Sequence, residues 1–187
     1  MVSKDRHNGN ISPEFALLGF LIAGPSHGYD LHQRFAAELG QVWHLSQSQA
    51  YAILKRLENR GDISAQVIEQ KKLPARQMLR ITEAGRQRFF EWLESGIGRT
   101  ARSIRLEFLT RLYFTQLYRP GTIDQIYNAQ VAEIESTITR LESLLEHLSP
   151  EQTFNRLSLD LRLQQMRLIQ NWMAEIRTQF HISRRGK

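Results

Sequence analysis

Side chains that can hydrogen-bond to nucleic-acid bases and phosphates gather in residues 45–63, LSQSQAYAILKRLENRGDI. The spacing of Ser46 and Gln49 is that of a capping box, which predicts the start of a helix. A buried face is predicted from apolar residues at helical spacing, namely Ala50, Ile53, Leu54 and Leu57. Amides and hydroxyls at the first turn suit base edges in a major groove, and later residues suit phosphates. The candidate DNA contacts here are Gln47, Ser48, Gln49, Tyr51 and Lys55.

Further cations follow this helix in a predicted β-hairpin. Residues 63–68 alternate between apolar and polar types, and residues 77–82 are predicted to pair back on them. The polar residues 69–75 are expected to form the loop, with Pro74 inside it. Lys71, Lys72 and Arg76 are candidate phosphate contacts. Two alternatives stay open: a solvated amphipathic helix in place of a DNA-binding one, and hairpin cations that serve solubility alone.

Residues with catalytic or metal-binding chemistry do not form a recognisable group. The six histidines include no pair at metal-site spacing beside a carboxylate, and there is no cysteine. His27 and His32 lie five residues apart on a short predicted helix and would not align, so His27 is interpreted as structural. The sequence contains no Gly-x-Ser-x-Gly, no Walker loop and no His-Glu-x-x-His. We therefore expect no enzyme activity, no metal and no cofactor.

The elements that would position the DNA contacts are three short helices and the hairpin. Ser12 is predicted to cap the first helix, which is almost wholly apolar over 15–23, and Ser26 is predicted to cap the second. Thr82 begins a further helix that reaches about Ser95. This order predicts a winged helix-turn-helix over residues 11–95, preceded by a flexible arm at 1–10. The glycines at 96 and 98 mark the expected domain boundary.

The second half, residues 99–182, is predicted to be a helical dimerisation domain. A heptad repeat runs through Tyr127, Val131, Ile134, Ile138, Leu141, Leu145 and Leu148. Capping boxes are expected at Thr122–Gln125 and Ser149–Gln152. The last helix is apolar on more than one side, so burial against a second copy is the economical solution. The predicted dimer interface is Tyr127, Val131, Ile134, Leu161, Leu168, Trp172 and Ile176.

Composition and charge agree with a globular DNA-binding chain. The 187 residues are 41% hydrophobic and 24% charged, with a formal net charge of +6. This excess of positive charge favours a polyanionic partner such as double-stranded DNA. No signal peptide or membrane span is predicted, and the lack of cysteine fits a reducing cytoplasm. We expect a cytoplasmic protein that makes no membrane contact.

The ordered motifs of the first half resemble the PadR family of bacterial transcriptional regulators. They are Gly24-Pro25, the segment HGYDL at 27–31, Tyr51 followed by LKRLE at 54–58, Pro74, and ITEAG at 81–85. SIRLEFLTRLYF, at 103–114, is similar to the longer C-terminal region of the virulence-activator-like branch. Two departures are that Ala52 stands where the family often has proline, and that Met78 and Leu79 replace an aromatic pair in the wing.

The resemblance implies a mainly α fold: an N-terminal winged helix-turn-helix with a β-hairpin wing, and an all-α C-terminal dimerisation region. It implies a repressor that is dimeric through its C-terminal helices. Because a dimer presents two copies of the third helix to one side of the duplex, we expect sequence-specific binding to a palindromic operator. Some relatives respond to phenolic or lipophilic molecules, so Phe89, Trp92 and Trp172 are candidates for an effector pocket, with ordinary packing as the alternative. A dimeric helical adaptor, or an effector-binding protein without DNA-binding activity, is the alternative function.

Overall fold

The computed structural model describes residues 11–70, 73–96 and 98–184, apart from the side chains of residues 67–76 and 179–184. The predicted flexible arm at 1–10 lies outside the described residues. Contacts divide the chain into two compact units. The first unit comprises the residues up to Gly96 together with Leu109–Tyr118, and the second comprises Ile97–Phe108 and the residues from Arg119 onward.

The first unit is built from helices and one small sheet. Its elements are α1 (Glu14–Ile22), β1 (Ser26–His27), α2 (Gly28–Leu39), α3 (Gln47–Asn59), β2 (Ile63–Gln70), β3 (Leu73–Ile81), α4 (Glu83–Glu94) and α6 (Leu109–Tyr118). Three helices followed by a hairpin form a winged helix-turn-helix, as predicted. Helix α1 begins at Glu14 with Pro13 as its N-cap, and Ser12 Oγ accepts the Glu14 N–H at 3.4 Å.

The sheet has the order β1-β3-β2 and is antiparallel throughout. The prediction that Ser26 caps α2 is wrong, because Ser26 pairs with Leu79 in β1 and the helix begins after it. The predicted loop at 69–75 is also too long, since the strands continue to a Gln70–Leu73 pair. Pro74 therefore lies within β3, beyond the stretch that β1 covers, so its missing N–H is tolerated there.

Helix α6 packs into the core of the first unit. The ring of Phe114 lies 5.3 Å from that of Phe20 and 5.4 Å from that of Phe89, and all three side chains are buried. Trp43 Nε1 donates to Thr110 Oγ1 at 2.8 Å, and the Tyr118 hydroxyl donates to the Gly19 carbonyl at 2.8 Å. The assignment of residues 109–118 to the C-terminal domain was therefore wrong, because their aromatic side chains complete the winged-helix core.

The second unit contains α5 (Ala101–Ser103), a π-helix (Ile104–Phe108), a short 3₁₀ turn (Pro120–Thr122), α7 (Ile123–His147) and α8 (Thr153–Arg184). Helices α7 and α8 pack together, and the Tyr127 hydroxyl donates to the Met173 carbonyl at 2.5 Å. Tyr127, Ile134, Ile138 and Leu141 of the predicted heptad repeat are buried. Among the described residues, no helix has both the length and the hydrophobicity to cross a lipid bilayer.

Both predicted capping boxes of the second unit are absent from its described structure. The Thr122 hydroxyl donates to the Arg119 carbonyl at 2.9 Å and caps nothing in α7. After Pro150 the chain makes a turn in which the Gln152 N–H donates to the Ser149 carbonyl, and α8 begins only at Thr153. Short polar side chains can satisfy nearby backbone groups in more than one way, and here a turn is formed in place of a cap.

Candidate nucleic-acid interface

A closed capping box fixes the start of α3. Ser46 Oγ accepts the Gln49 N–H at 3.3 Å, and Gln49 Oε1 accepts the Ser46 N–H at 2.9 Å. The predicted box is thus confirmed. It satisfies two backbone donors that would otherwise be unpaired at the helix start. Since the Gln49 side chain is held in this box, Gln47 and Ser48 are the first-turn side chains that project without that constraint.

The buried face of α3 determines which residues point outward. Ala50, Ile53, Leu54 and Leu57 are each at most 5% exposed. At about 100° per residue, the opposite side of the helix is centred on four exposed positions: Ser48, Ala52, Lys55 and Asn59. Tyr51 and Gln47 are exposed and lie on one side of this face, about 70° and about 110° from its centre. Ala52 and Asn59 were not among the predicted contacts, although the helical period of the apolar residues would have indicated them.

Tyr51 and Lys55 border a surface groove of about 540 Å³. The groove is lined by the start of α2, including Tyr29, by α3 and by β3. Tyr51 is 46% exposed and Tyr29 is 54% exposed, so both phenols are accessible. Lys55 Nζ lies 2.8 Å from Glu58 Oε2 within α3, an exposed pair of small energetic value. A phosphate group could therefore draw the Lys55 ammonium away at little cost.

Two histidines hold the segments next to α3. His32 Nε2 bonds to the Leu45 carbonyl at 2.9 Å, which ties α2 to the residue before the N-cap. His27 Nδ1 bonds to the Gln77 carbonyl at 2.9 Å, which ties β1 to β3. A carbonyl can only accept, so the bonded ring nitrogen carries the proton in each case. Both histidines act as structural connectors, in agreement with the interpretation of His27.

The C-terminal end of α3 is anchored by a cluster of four charges. Glu14 Oε2 lies 3.0 Å from Arg60 and its Oε1 lies 2.5 Å from Arg88, while Asp62 Oδ2 lies 3.0 Å from Arg60 and 2.7 Å from Arg88. Burial raises the pKa of Glu14, but hydrogen bonds and attraction from the two guanidinium groups outweigh it, so the pKa lies below its ordinary value of 4.5. The cluster joins α1, α3 and α4.

Three of the predicted phosphate contacts belong to the wing, the hairpin of β2 and β3. Lys71 and Lys72 lie outside the described residues. The backbone of Arg76 pairs with Ile68 across the hairpin, whereas its side chain lies outside the description. Their contribution to phosphate contact stays a prediction.

The predicted dimer-interface residues divide into two groups. Tyr127, Ile134 and Ile176 are between 1% and 8% exposed, because α7 and α8 of a single chain bury them. Their assignment to an interface between chains is therefore corrected. Leu161 and Leu168 are 58% and 70% exposed. The remaining two, Val131 and Trp172, are half-buried.

The candidate effector residues lie in both units. Phe89 is fully buried and contacts the rings of Phe90, Phe114 and Tyr118. Trp92 stacks on Phe15 at 4.6 Å between ring centroids. Trp172 belongs to the second unit and borders a shallow depression of about 350 Å³ on α8. Within the described part of the chain, no group of three His, Asp or Glu side chains could hold a metal ion.

Comparison with known proteins shows a similarity to PadR-like transcriptional regulators. The model of the "Transcriptional regulator PadR-like family" matches residues 17–91. The "Negative transcriptional regulator PadR" of Bacillus subtilis (strain 168) is 28% identical over 137 residues, which cover 72% of this chain and 74% of the relative. Among solved structures, Bacillus subtilis PadR in complex with operator DNA is 25% identical, with a TM-score of 0.43, over 87% of this chain and 94% of that one. Bacillus subtilis PadR in complex with p-coumaric acid is also 25% identical, with a TM-score of 0.41, over 90% and 96% of the two chains. The matched segment contains α2, α3, both hairpin strands and most of α4, so this part of the chain is similar to PadR-like transcriptional regulators.

Proposed function

We propose that this protein is a transcriptional repressor that binds a palindromic operator as a homodimer through α3. The observation that carries the proposal is the division of α3 into two faces. One face is buried in the first unit, and the other presents Ser48, Lys55 and Asn59 to solvent. Such a helix can enter a major groove without unfolding its own domain. Repression is supported by the name of the curated relative, a negative transcriptional regulator.

The homodimer is supported by an exposed apolar stripe on α8. Phe154 is 86% exposed, Leu157 is 59%, Leu161 is 58% and Leu168 is 70%. Their spacings of three, four and seven residues are those of a coiled-coil seam. The seam spans roughly 20 Å at 1.5 Å per residue. An apolar stripe of this length, interrupted only by Gln164 and Gln165 before Leu168, favours burial against another surface, and a second α8 offers the same heptad pattern.

The two-fold symmetry of a homodimer should be matched by two-fold symmetry in the operator sequence. A symmetric dimer presents two copies of α3 in opposite orientations, so the operator is expected to be a palindrome. Its half-sites are expected to lie about one helical turn apart, or a small multiple of that. Gln47 and Ser48 are proposed to contact base edges, while Tyr51, Lys55 and the wing cations Lys71, Lys72 and Arg76 contact phosphates.

A small phenolic or lipophilic effector is a second element of the proposal. The depression beside Trp172, bordered by Leu168 and Ile169, supports it because an aromatic ring and aliphatic side chains meet there. The contacts of Phe89 and Trp92 agree instead with ordinary packing. Titration of p-coumaric acid against tryptophan fluorescence, with Trp172→Phe beside the wild type, tests the site. Equal quenching curves for the two proteins would show that p-coumaric acid does not bind beside Trp172.

The test of the main proposal is selection of binding sites from random duplexes, followed by titration of the enriched sequence. Wild-type protein is expected to enrich a palindrome. Ser48→Asp should abolish binding, because it places a carboxylate on the outward face of α3 next to DNA charge. Asn128→Asp is the matched control, since it makes the same change of charge at an exposed position of α7 in the other unit. Failure to enrich any sequence, with the dimer intact, would support the helical adaptor or effector-binding alternative.

A further inference from the structure

The outward face of α3 contains one apolar side chain among polar ones. Ala52 is the sixth residue of the helix and is exposed. Ser48 lies one turn before it, and Arg56 lies one turn after it. Lys55 and Asn59 share the same face, and both are exposed. The methyl group of Ala52 is thus presented to solvent within the surface that is proposed to enter the major groove.

The two positions nearest the helix start on this face have short side chains. Ser48 and Ala52 project only one heavy atom beyond Cβ or none, so they keep the backbone of α3 close to whatever it meets. Lys55 and Arg56 project much farther and reach phosphates more readily than a base edge directly beneath the helix. Ala52 therefore occupies a place where a base edge would be nearest.

The chemistry of the major groove leaves one good match for an alanine methyl. Each base pair displays hydrogen-bond donors and acceptors there, and thymine alone adds an apolar group, its 5-methyl. An alanine side chain cannot hydrogen-bond, so it gains most by burying this methyl. Facing a polar base edge, it would leave that edge unsatisfied.

We propose that Ala52 is a specificity-determining residue that recognises the 5-methyl group of one thymine in each operator half-site. The proposal rests on the proposed function, since it requires α3 to enter the major groove. It adds a contact that hydrogen bonding by Gln47 and Ser48 would not supply. The competing explanation is that Ala52 is small merely to let the helix approach, in which case the thymine methyl adds nothing.

The experiment starts from the duplex enriched by the wild-type protein and replaces each thymine in turn with deoxyuridine. This change removes the methyl group and keeps the base pairing. At one thymine per half-site, we expect wild-type affinity to fall about fourfold, the size expected for one buried methyl group. Ala52→Gly should bind the thymine and deoxyuridine duplexes equally at that position. Ala132→Gly is the matched control and should keep the difference, because it makes the same substitution at an exposed position of α7 in the other unit.

Glycine destabilises a helix interior by about 1 kcal/mol relative to alanine, so Ala52→Gly could lose affinity through a folding defect. A second variant distinguishes this from loss of the methyl contact. Ala52→Ser keeps the side chain small and should also lose most of the preference for thymine, with its melting temperature as a check of folding. The proposal is overturned if no deoxyuridine substitution weakens wild-type binding, or if Ala52→Gly retains the full difference. If no duplex is enriched at all, the proposed function fails first and the methyl contact fails with it.

Discussion

The ring of Tyr51 in α3 lies against the backbone of Gly28 at the start of α2. A Cβ atom on Gly28 would stand only 2.9 Å from Tyr51 Cε1 and 3.3 Å from its Oη. Glycine is thus the residue that lets the phenol lie over α2, where it borders the groove lined by α2, α3 and β3. This contact links two motifs that lie far apart in the sequence, the HGYDL segment and the Tyr51-containing helix.

Gly28→Ala should displace the Tyr51 ring while the fold survives. The Tyr51 side chain is half-exposed and can rotate outward, and alanine is a better helix former than glycine. We expect weaker binding to operator and to random DNA alike, because Tyr51 is proposed to contact phosphates. DNA titrations with circular dichroism as a folding check test this. Gly96→Ala is the control, since a Cβ there would meet open space. If Gly28→Ala binds DNA with unchanged affinity, the Tyr51 side chain does not contribute to DNA binding.

Gln47 and Lys55 should differ in the kind of binding they support. Gln47→Ala is expected to cost about 1–3 kcal/mol on the operator and much less on scrambled duplex, as for a side chain that contacts a base edge. Lys55→Ala should weaken both duplexes and lower the salt slope by about one, as for a phosphate contact. Titration against both duplexes at several salt concentrations measures this. Equal losses on the two duplexes for Gln47→Ala would show that Gln47 does not read sequence.

Leu168→Glu should dissociate the proposed dimer. The substitution places a carboxylate at the C-terminal end of the exposed α8 stripe, where a partner helix would have to bury it. Light scattering is the measurement, with the wild type expected at the mass of two chains. Ala174→Glu adds the same charge at an exposed position of α8 away from the stripe, and should leave the dimer intact. A wild type that is monomeric at micromolar concentration would contradict the interface.

Acid should lower the stability of the first unit, because it protonates the Glu14 carboxylate. Because its folded pKa is depressed, its contribution to the free energy of unfolding is complete above its ordinary value of 4.5 and is lost as pH falls below it. Glu14→Gln should therefore destabilise the protein by about 1–3 kcal/mol near pH 7, and by less in acid. Urea unfolding at both pH values measures the difference. Glu94→Gln, at an exposed site, is the control, and a difference for Glu14→Gln that stays constant with pH would contradict the account.

The first unit should need α6 in order to fold. A fragment of residues 11–96 would leave the sides of Phe20 and Phe89 that meet Phe114 uncovered. It would also leave the Trp43 indole N–H without Thr110. We expect this fragment to lack a cooperative thermal transition, whereas a fragment of residues 11–118 should show one. A sharp transition for both fragments at the same temperature would show that α6 is dispensable.

Local patterns in the sequence determined most of the first unit. The Ser46–Gln49 box, the Thr82 cap and the four apolar positions of α3 follow from contacts between residues within a few positions of one another. Such contacts depend on the helical period and on short side chains near a helix end, which can be read directly from the order of residues. The family motifs between 24 and 85 belong to this same unit.

Contacts between residues far apart in the sequence became known only from the tertiary structure. The pairing of Ser26 with Leu79 turned a predicted cap into a strand, and the aromatic contacts of Phe114 drew α6 into the winged-helix core. The periodicity of α7 showed that one face is buried, but not whether α8 of the same chain or a second chain buries it. Tyr127 and Ile134 are covered within one chain, while Leu168 stays exposed, because the direction of each face depends on how two helices far apart in sequence are packed.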